Sequence, residues 1–161
     1  MIKGVLFDVG DTLVVEEAIL SGRPETTPHA KEVLEVLRPS FKLAVICDTA
    51  ASTEEVEEIM KNLGIRRYFD DVVVSSEVGA SKPDERIFRV ALERIGLKPE
   101  EVVMVGNRIS KDILGGNRLG MKTVLYKWNN RYSEKIASEF EKPTFTIKSL
   151  SELLPILARM K

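Results

Sequence analysis

Short apolar runs rich in β-branched residues alternate with stretches whose apolar residues recur at helical spacing. Val5 to Asp8, Leu43-Ala44-Val45-Ile46, Val72-Val73-Val74, Val102-Val103-Met104-Val105 and Thr123-Val124-Leu125-Tyr126 predict five strands, and Thr144-Phe145-Thr146 a sixth at an edge. Between them, Ala30, Val33, Leu34 and Leu37 share one helical face. So do Val56, Ile59, Met60 and Leu63, and likewise Phe88, Ala91, Leu92 and Ile95. Ile109 to Gly120 predicts a further helix, and Leu150, Leu153, Leu154 and Leu157 give the last one its apolar face. The punctuation agrees. Gly64 and Gly96 read as helix stops, Ser52 with Glu55 and Ser149 with Glu152 as capping boxes, and Thr27-Pro28 as an N-cap followed by proline at the first helical position.

Strands apolar on both faces and separated by amphipathic helices imply an α/β fold. The expected form is a three-layer, Rossmann-like domain whose central sheet is mainly parallel and flanked by helices. In such sheets ligands bind beyond the carboxyl ends of the strands, where strand order reverses. The residues predicted there are chemically suggestive. Asp8 ends the first strand, Cys47-Asp48-Thr49 the second and Gly106-Asn107 the fourth; Lys82-Pro83 follows the third strand, and Asp112 lies five residues after Asn107. Carboxylates, a lysine and small hydroxyls on one rim fit a divalent cation and a phosphate. Magnesium takes hard oxygen ligands, lysine neutralises phosphate, and an aspartate can accept a phosphoryl group covalently.

The 161 residues suit one domain, residues 1–161, with 43% apolar and 30% charged side chains. A net charge of −1, from 24 basic and 25 acidic residues, gives no electrostatic reason to expect nucleic acid or an anionic membrane as partner. No apolar run reaches the length of a membrane span, and nothing at the N-terminus looks like a secretory signal. Cys47, the single cysteine, rules out an internal disulfide framework. A cytoplasmic protein is the expectation. The absence of glutamine with abundant lysine and glutamate hints at a thermophile.

Taken in order, FDVGDTL, AVICDTA, ASKPDERIF and VGNRISKDILGGNRLGM closely resemble the haloacid dehalogenase superfamily, from Ile2 to about Tyr126. The resemblance implies roles position by position. Asp8 matches the nucleophile that forms an aspartyl-phosphate. Cys47 matches the hydroxyl residue that hydrogen-bonds the phosphoryl group, with Asp48 and Thr49 beside it. Lys82 matches the lysine that holds nucleophile and phosphate together. Asp8, the Gly10 carbonyl, Asn107 and Asp112 match the Mg2+ site. The implied function is a magnesium-dependent phosphohydrolase acting on a small phosphorylated molecule or a phosphorylated macromolecule.

The chain departs from the family pattern in four places. Gly10 stands where phosphatases of the family carry a second aspartate as general acid and base, and loss of such a group slows a reaction by about 10²–10⁴-fold. Asp11, one residue on, is the candidate surrogate. Asn107 replaces an acid and Cys47 a hydroxyl, for which Thr49 is the candidate compensation. Only Val14 to Thr27 occupies the place of a cap domain, which predicts an open site or one covered by a second copy in a homo-oligomer. A catalytically degenerate protein that binds a phospholigand or a protein partner therefore stands as the alternative. Dehalogenation ranks lower, because that chemistry depends on a cap.

Overall fold

The computed structural model describes all 161 residues. Six strands form a single parallel sheet in the order β3-β2-β1-β4-β5-β6: β1 (Gly4–Phe7), β2 (Lys42–Cys47), β3 (Asp71–Val74), β4 (Val102–Gly106), β5 (Lys122–Tyr126) and β6 (Phe145–Ile147). All six coincide with expected strands to within one or two residues. Alternation along each strand sends its side chains to two cores. Val5, Phe7, Leu43, Val45, Val103 and Val105 face one side, against α2 (Ala30–Leu37), α3 (Thr53–Asn62) and α7 (Leu153–Ala158). Leu6, Ala44, Ile46, Val102 and Met104 face the other, against α5 (Glu85–Ile95). At about 25 cal/mol per Å² of apolar surface removed from water, these two layers supply most of the drive to fold.

Strand order reverses between β1 and β4. Phe7 pairs with Val45 on one side and Val105 on the other, so the tips of β1, β2 and β4 lie side by side. The reversal sets the site at one rim.

Four local expectations are corrected or refined. Thr27-Pro28 does not start a helix. Helix α2 begins at Ala30 after His29 in the left-handed region (φ 65°), while the Thr27 hydroxyl donates to the Thr12 carbonyl at 2.7 Å. Ser52 does cap α3, accepting from the Glu55 amide at 3.1 Å, but the Glu55 carboxylate meets the Ser52 hydroxyl rather than its amide, so only half the box forms. The Ser149–Glu152 box is complete. The helix expected from Ile109 to Gly120 opens with a π-turn, Ile109–Ile113, before α6 (Leu114–Leu119).

The stretch from Val14 to Thr27 folds as a small hairpin. Val14 bridges Gly10 and Thr26, Val15 donates to the Glu25 carbonyl at 2.9 Å, and α1 (Glu16–Leu20) forms the tip. Val14 is buried and Leu20 is exposed, so only part of this apolar stretch packs on the domain.

Candidate active site at the β1–β4 rim

The backbone ladder of β1 ends at Phe7, and Asp8 follows it directly, its amide still bonded to the Val105 carbonyl at 3.0 Å. A rigid strand end thus holds the carboxylate. Lys82 arrives from the opposite side. After β3, the single turn α4 (Ser75–Val78) and Gly79 lead into a turn closed by the Asp84 amide on the Ser81 carbonyl. Asp84 then caps α5. The Lys82 ammonium donates to Asp8 Oδ1 at 2.7 Å, Asp112 Oδ1 at 2.8 Å and the Ile46 carbonyl at 3.0 Å. Asp112 Oδ2 accepts from the Arg108 amide at 3.1 Å. Asp112 is brought inward by the π-turn, and it fits there because residue 106 is glycine: a Cβ at Gly106 would sit 2.3 Å from the Asp112 carboxyl carbon.

These three groups are buried together. Burial pushes the Asp112 carboxyl up, and Asp8 adds to it, to about 6 against the opposing pull of Lys82. Burial disfavours the Lys82 charge, but Asp112 and Asp8 outweigh it and hold the ammonium above the ordinary lysine range. Burial, then Asp8, pushes the Cys47 thiol to about 12, so it stays a neutral, weak donor. With both acids ionised, two carboxylates face one ammonium, a surplus of negative charge that invites a cation.

The oxygen atoms around Asp8 Oδ2 fit magnesium. No three His, Cys, Asp or Glu side chains cluster as a metal site. Instead, one carboxylate, one amide and one backbone carbonyl converge. One end of the Asn107 amide lies 2.8 Å from Asp8 Oδ2 and 3.3 Å from the Gly10 carbonyl: its NH2 would donate to both, and its oxygen would share a cation with them. Octahedral Mg2+ holds adjacent oxygens about 3 Å apart, since its bonds are about 2.1 Å. Asp112, expected beside them, has both oxygens on protein donors and reaches this cluster through Lys82.

Asp8, Gly10, Cys47, Asp48, Lys82, Asn107 and Asp112 line one cavity of about 130 Å³. That is room for roughly four waters, enough for a phosphoryl group whose remaining substrate projects outward. Asp48 accepts from the Lys82 amide at 3.0 Å and lies 3.5 Å from the Lys111 ammonium. Two expected residues do not come to the cavity. The Thr49 hydroxyl accepts from the Ala51 amide at 3.1 Å and its amide donates to Ser75, so it cannot stand in for the missing hydroxyl at Cys47. Asp11, buried and at φ 55°, turns its Oδ1 to the Glu16 amide at 2.8 Å, where it tethers the start of α1; the left-handed backbone directs the side chain away from Asp8.

Glu16, Arg108, Lys111 and Tyr132 complete the lining, and none was singled out from sequence. Residues 127–138 pass over this side without regular structure and are pinned by polar contacts. Trp128 Nε1 donates to the Asp11 carbonyl at 2.8 Å. The Tyr132 hydroxyl reaches both Glu16 oxygens at 3.1 and 3.0 Å, and the Arg108 guanidinium stacks 4.0 Å from the Tyr132 ring centre. Glu134 accepts from Arg108 Nε at 3.0 Å, from the Ile109 amide at 2.9 Å and from Ser110.

Comparison with known proteins agrees with this geometry. A family profile for haloacid dehalogenase-like hydrolases matches residues 14–126. Glyceraldehyde 3-phosphate phosphatase of Methanopyrus kandleri is 35% identical over 143 residues, 89% of this chain and 59% of the relative. Its Methanocaldococcus jannaschii counterpart is 37% identical over 147 residues, 91% of this chain and 61% of the relative. The chain thus spans about six tenths of the length of these relatives. Among solved structures, a HAD phosphatase from Thermococcus onnurineus superposes with a TM-score of 0.84 at 23% identity, covering 97% of this chain and 98% of that one, which shows a shared fold. The profile match over most of the sheet, together with the strand order that brings Asp8, Lys82 and Asp112 to one rim, places the chain in the haloacid dehalogenase-like hydrolase family.

Proposed function

We propose that the protein is a phosphohydrolase that uses magnesium and forms an aspartyl-phosphate on Asp8. The observation that carries this reading is the Lys82 ammonium, held 2.7 Å from Asp8 and 2.8 Å from Asp112 at the end of β1. Asp8, the Gly10 carbonyl and Asn107 would hold the metal, with Asp112 behind them through Lys82. When bound, Mg2+ would neutralise phosphate charge and orient the phosphoryl group. Asp8 Oδ2 faces the metal ligands, which leaves Oδ1, beside Lys82, to attack phosphorus. Lys82 offsets charge on the equatorial oxygens, and burial strengthens that interaction. Arg108 and Lys111 at the cavity edge favour a small substrate carrying a second polar or anionic group. The relatives named for glyceraldehyde 3-phosphate support a small phosphomonoester as the substrate class.

The test is turnover of an aryl phosphate with and without Mg2+, beside Asp8→Asn. Turnover should need the metal and vanish in the variant; equal rates in Asp8→Asn would remove the mechanism. Gly10 supports a second reading, a protein that binds a phospholigand without turning it over. Calorimetric binding of inorganic phosphate with no hydrolysis of any ester tested would favour that reading.

A further inference from the structure

The site lacks a proton carrier at Gly10, and the geometry points to Glu16 as its replacement: a catalytic carboxylate supplied from α1 instead of from the nucleophile loop. This rests on the phosphohydrolase reading. Gly10 is not in the left-handed region, so its backbone does not demand glycine. The three atoms nearest a Cβ built there all belong to Glu16, its carboxyl carbon, Cγ and Cβ at 3.7, 3.8 and 3.9 Å. A side chain at position 10 would therefore point into the space that Glu16 occupies.

Elimination gives the same answer. The acids lining the cavity are Asp8, Glu16, Asp48 and Asp112. Asp8 is the nucleophile, Asp112 is fully buried on Lys82 and the Arg108 amide, and Asp48 ties the Lys82 backbone through Oδ1 while its Oδ2 lies 3.5 Å from the Lys111 ammonium. Glu16 bonds to none of Asp8, Lys82 and Asp112; its carboxylate meets only the segment that borders the cavity. Its position is nevertheless fixed from three sides, by the Asp11 cap on its amide, the Tyr132 hydroxyl, and Arg131 Nε at 3.2 Å. A carboxylate facing a phosphate site weakens binding through like charge, a cost that a role in the chemistry would offset.

The cycle balances. Asp8 bonds to phosphorus as the ester P–O bond breaks, and the Glu16 carboxyl gives its proton to the leaving oxygen. Water then attacks phosphorus and yields a proton to the Glu16 carboxylate, the bond from phosphorus to Asp8 breaks, and inorganic phosphate leaves. The proton taken in one turnover is delivered in the next. A phosphomonoester and water enter, and an alcohol and phosphate depart.

The test compares wild type, Glu16→Gln, the double variant Gly10→Asp/Glu16→Gln, and Asp8→Asn on an aryl and an alkyl phosphate, with the phosphoenzyme quantified by rapid acid quench and mass spectrometry. Glu16→Gln should lose about 10²-fold or more in steady-state turnover. It should still form the phosphoenzyme from the aryl ester, whose leaving group needs no proton, and should accumulate it. The double variant should recover at least about tenfold, since an aspartate at position 10 restores a proton carrier. Wild-type rates in Glu16→Gln, or a loss with neither accumulation nor rescue, would overturn the assignment. A wild type that forms no phosphoenzyme and matches Asp8→Asn would instead overturn the reading beneath it.

Discussion

The strand-end rim and the segment 127–138 border the same cavity, yet they are built on opposite principles. Asp8 directly follows a strand of the parallel ladder, Lys82 and Asp112 meet it from the turns after β3 and β4, and each is almost wholly buried. The segment has no regular structure and is held by the side chains of Trp128, Tyr132 and Glu134 through part-buried polar contacts. Backbone pairing and burial fix the rim cooperatively, whereas the segment can open locally without unfolding the sheet. The chemistry that must not move is on the first; contacts that can differ between substrates are on the second.

The comparison breaks most sharply at Lys82. Lys82→Met leaves two buried carboxylates without their cation and should cost ~3–5 kcal/mol, read as a lower urea midpoint in the absence of divalent ions. A change under 1 kcal/mol would mean the rim is not held by this charge cluster. Gly106→Ala comes next. Its methyl collides with Asp112, and overpacking of this kind costs about 1–3 kcal/mol, with activity falling in step because Asp112 and Asn107 shift together.

Glu134→Ala should act on the other region only. Removing its charged hydrogen bonds should raise hydrogen exchange across 127–138 and alter Trp128 fluorescence, with a loss of ~1–2 kcal/mol confined to that segment. Strand amides that exchange equally fast in this variant would erase the distinction. Acid gives the same result without mutation. Burial raises the Glu134 carboxyl, but Ser110 and Arg108 outweigh it and hold it below the ordinary 4.5. Its contribution is therefore present above that value and fades as pH falls through the lower folded value. Trp128 emission should hold steady near neutrality and change only in acid below 4.5. The smallest effect belongs to Asp11→Asn. The amide oxygen can still cap α1, so stability should drop by about 0.5 kcal/mol or less and kcat/KM should stay within about twofold of wild type in a phosphatase assay.

The same division explains what the sequence discloses. Val5 to Phe7 or Val102 to Val105 announce buried strands because burial on two faces requires unbroken apolar runs, and a parallel sheet then puts their ends together. Family motifs supply the identities of Asp8, Lys82 and Asp112. The π-turn at Ile109–Ile113 leaves no such mark, because an extra residue in one helical turn alters hydrogen-bond partners and not composition. Glu16 reads as an ordinary acid at a helix start, and nothing local says that residue 132, more than a hundred positions away, will hold it. Thr49 and Asp11 were plausible by adjacency, but each hydrogen-bonds to nearby backbone, a competition that such short polar side chains often win.

The three bonds of Lys82 carry one more implication. An ammonium has three hydrogens, and Asp8, Asp112 and the Ile46 carbonyl already take them. An arriving anion finds no spare hand to grasp. It must trade places with one of those partners or be received through the field alone, so recognition at this rim is an exchange of companions and not the filling of an empty seat.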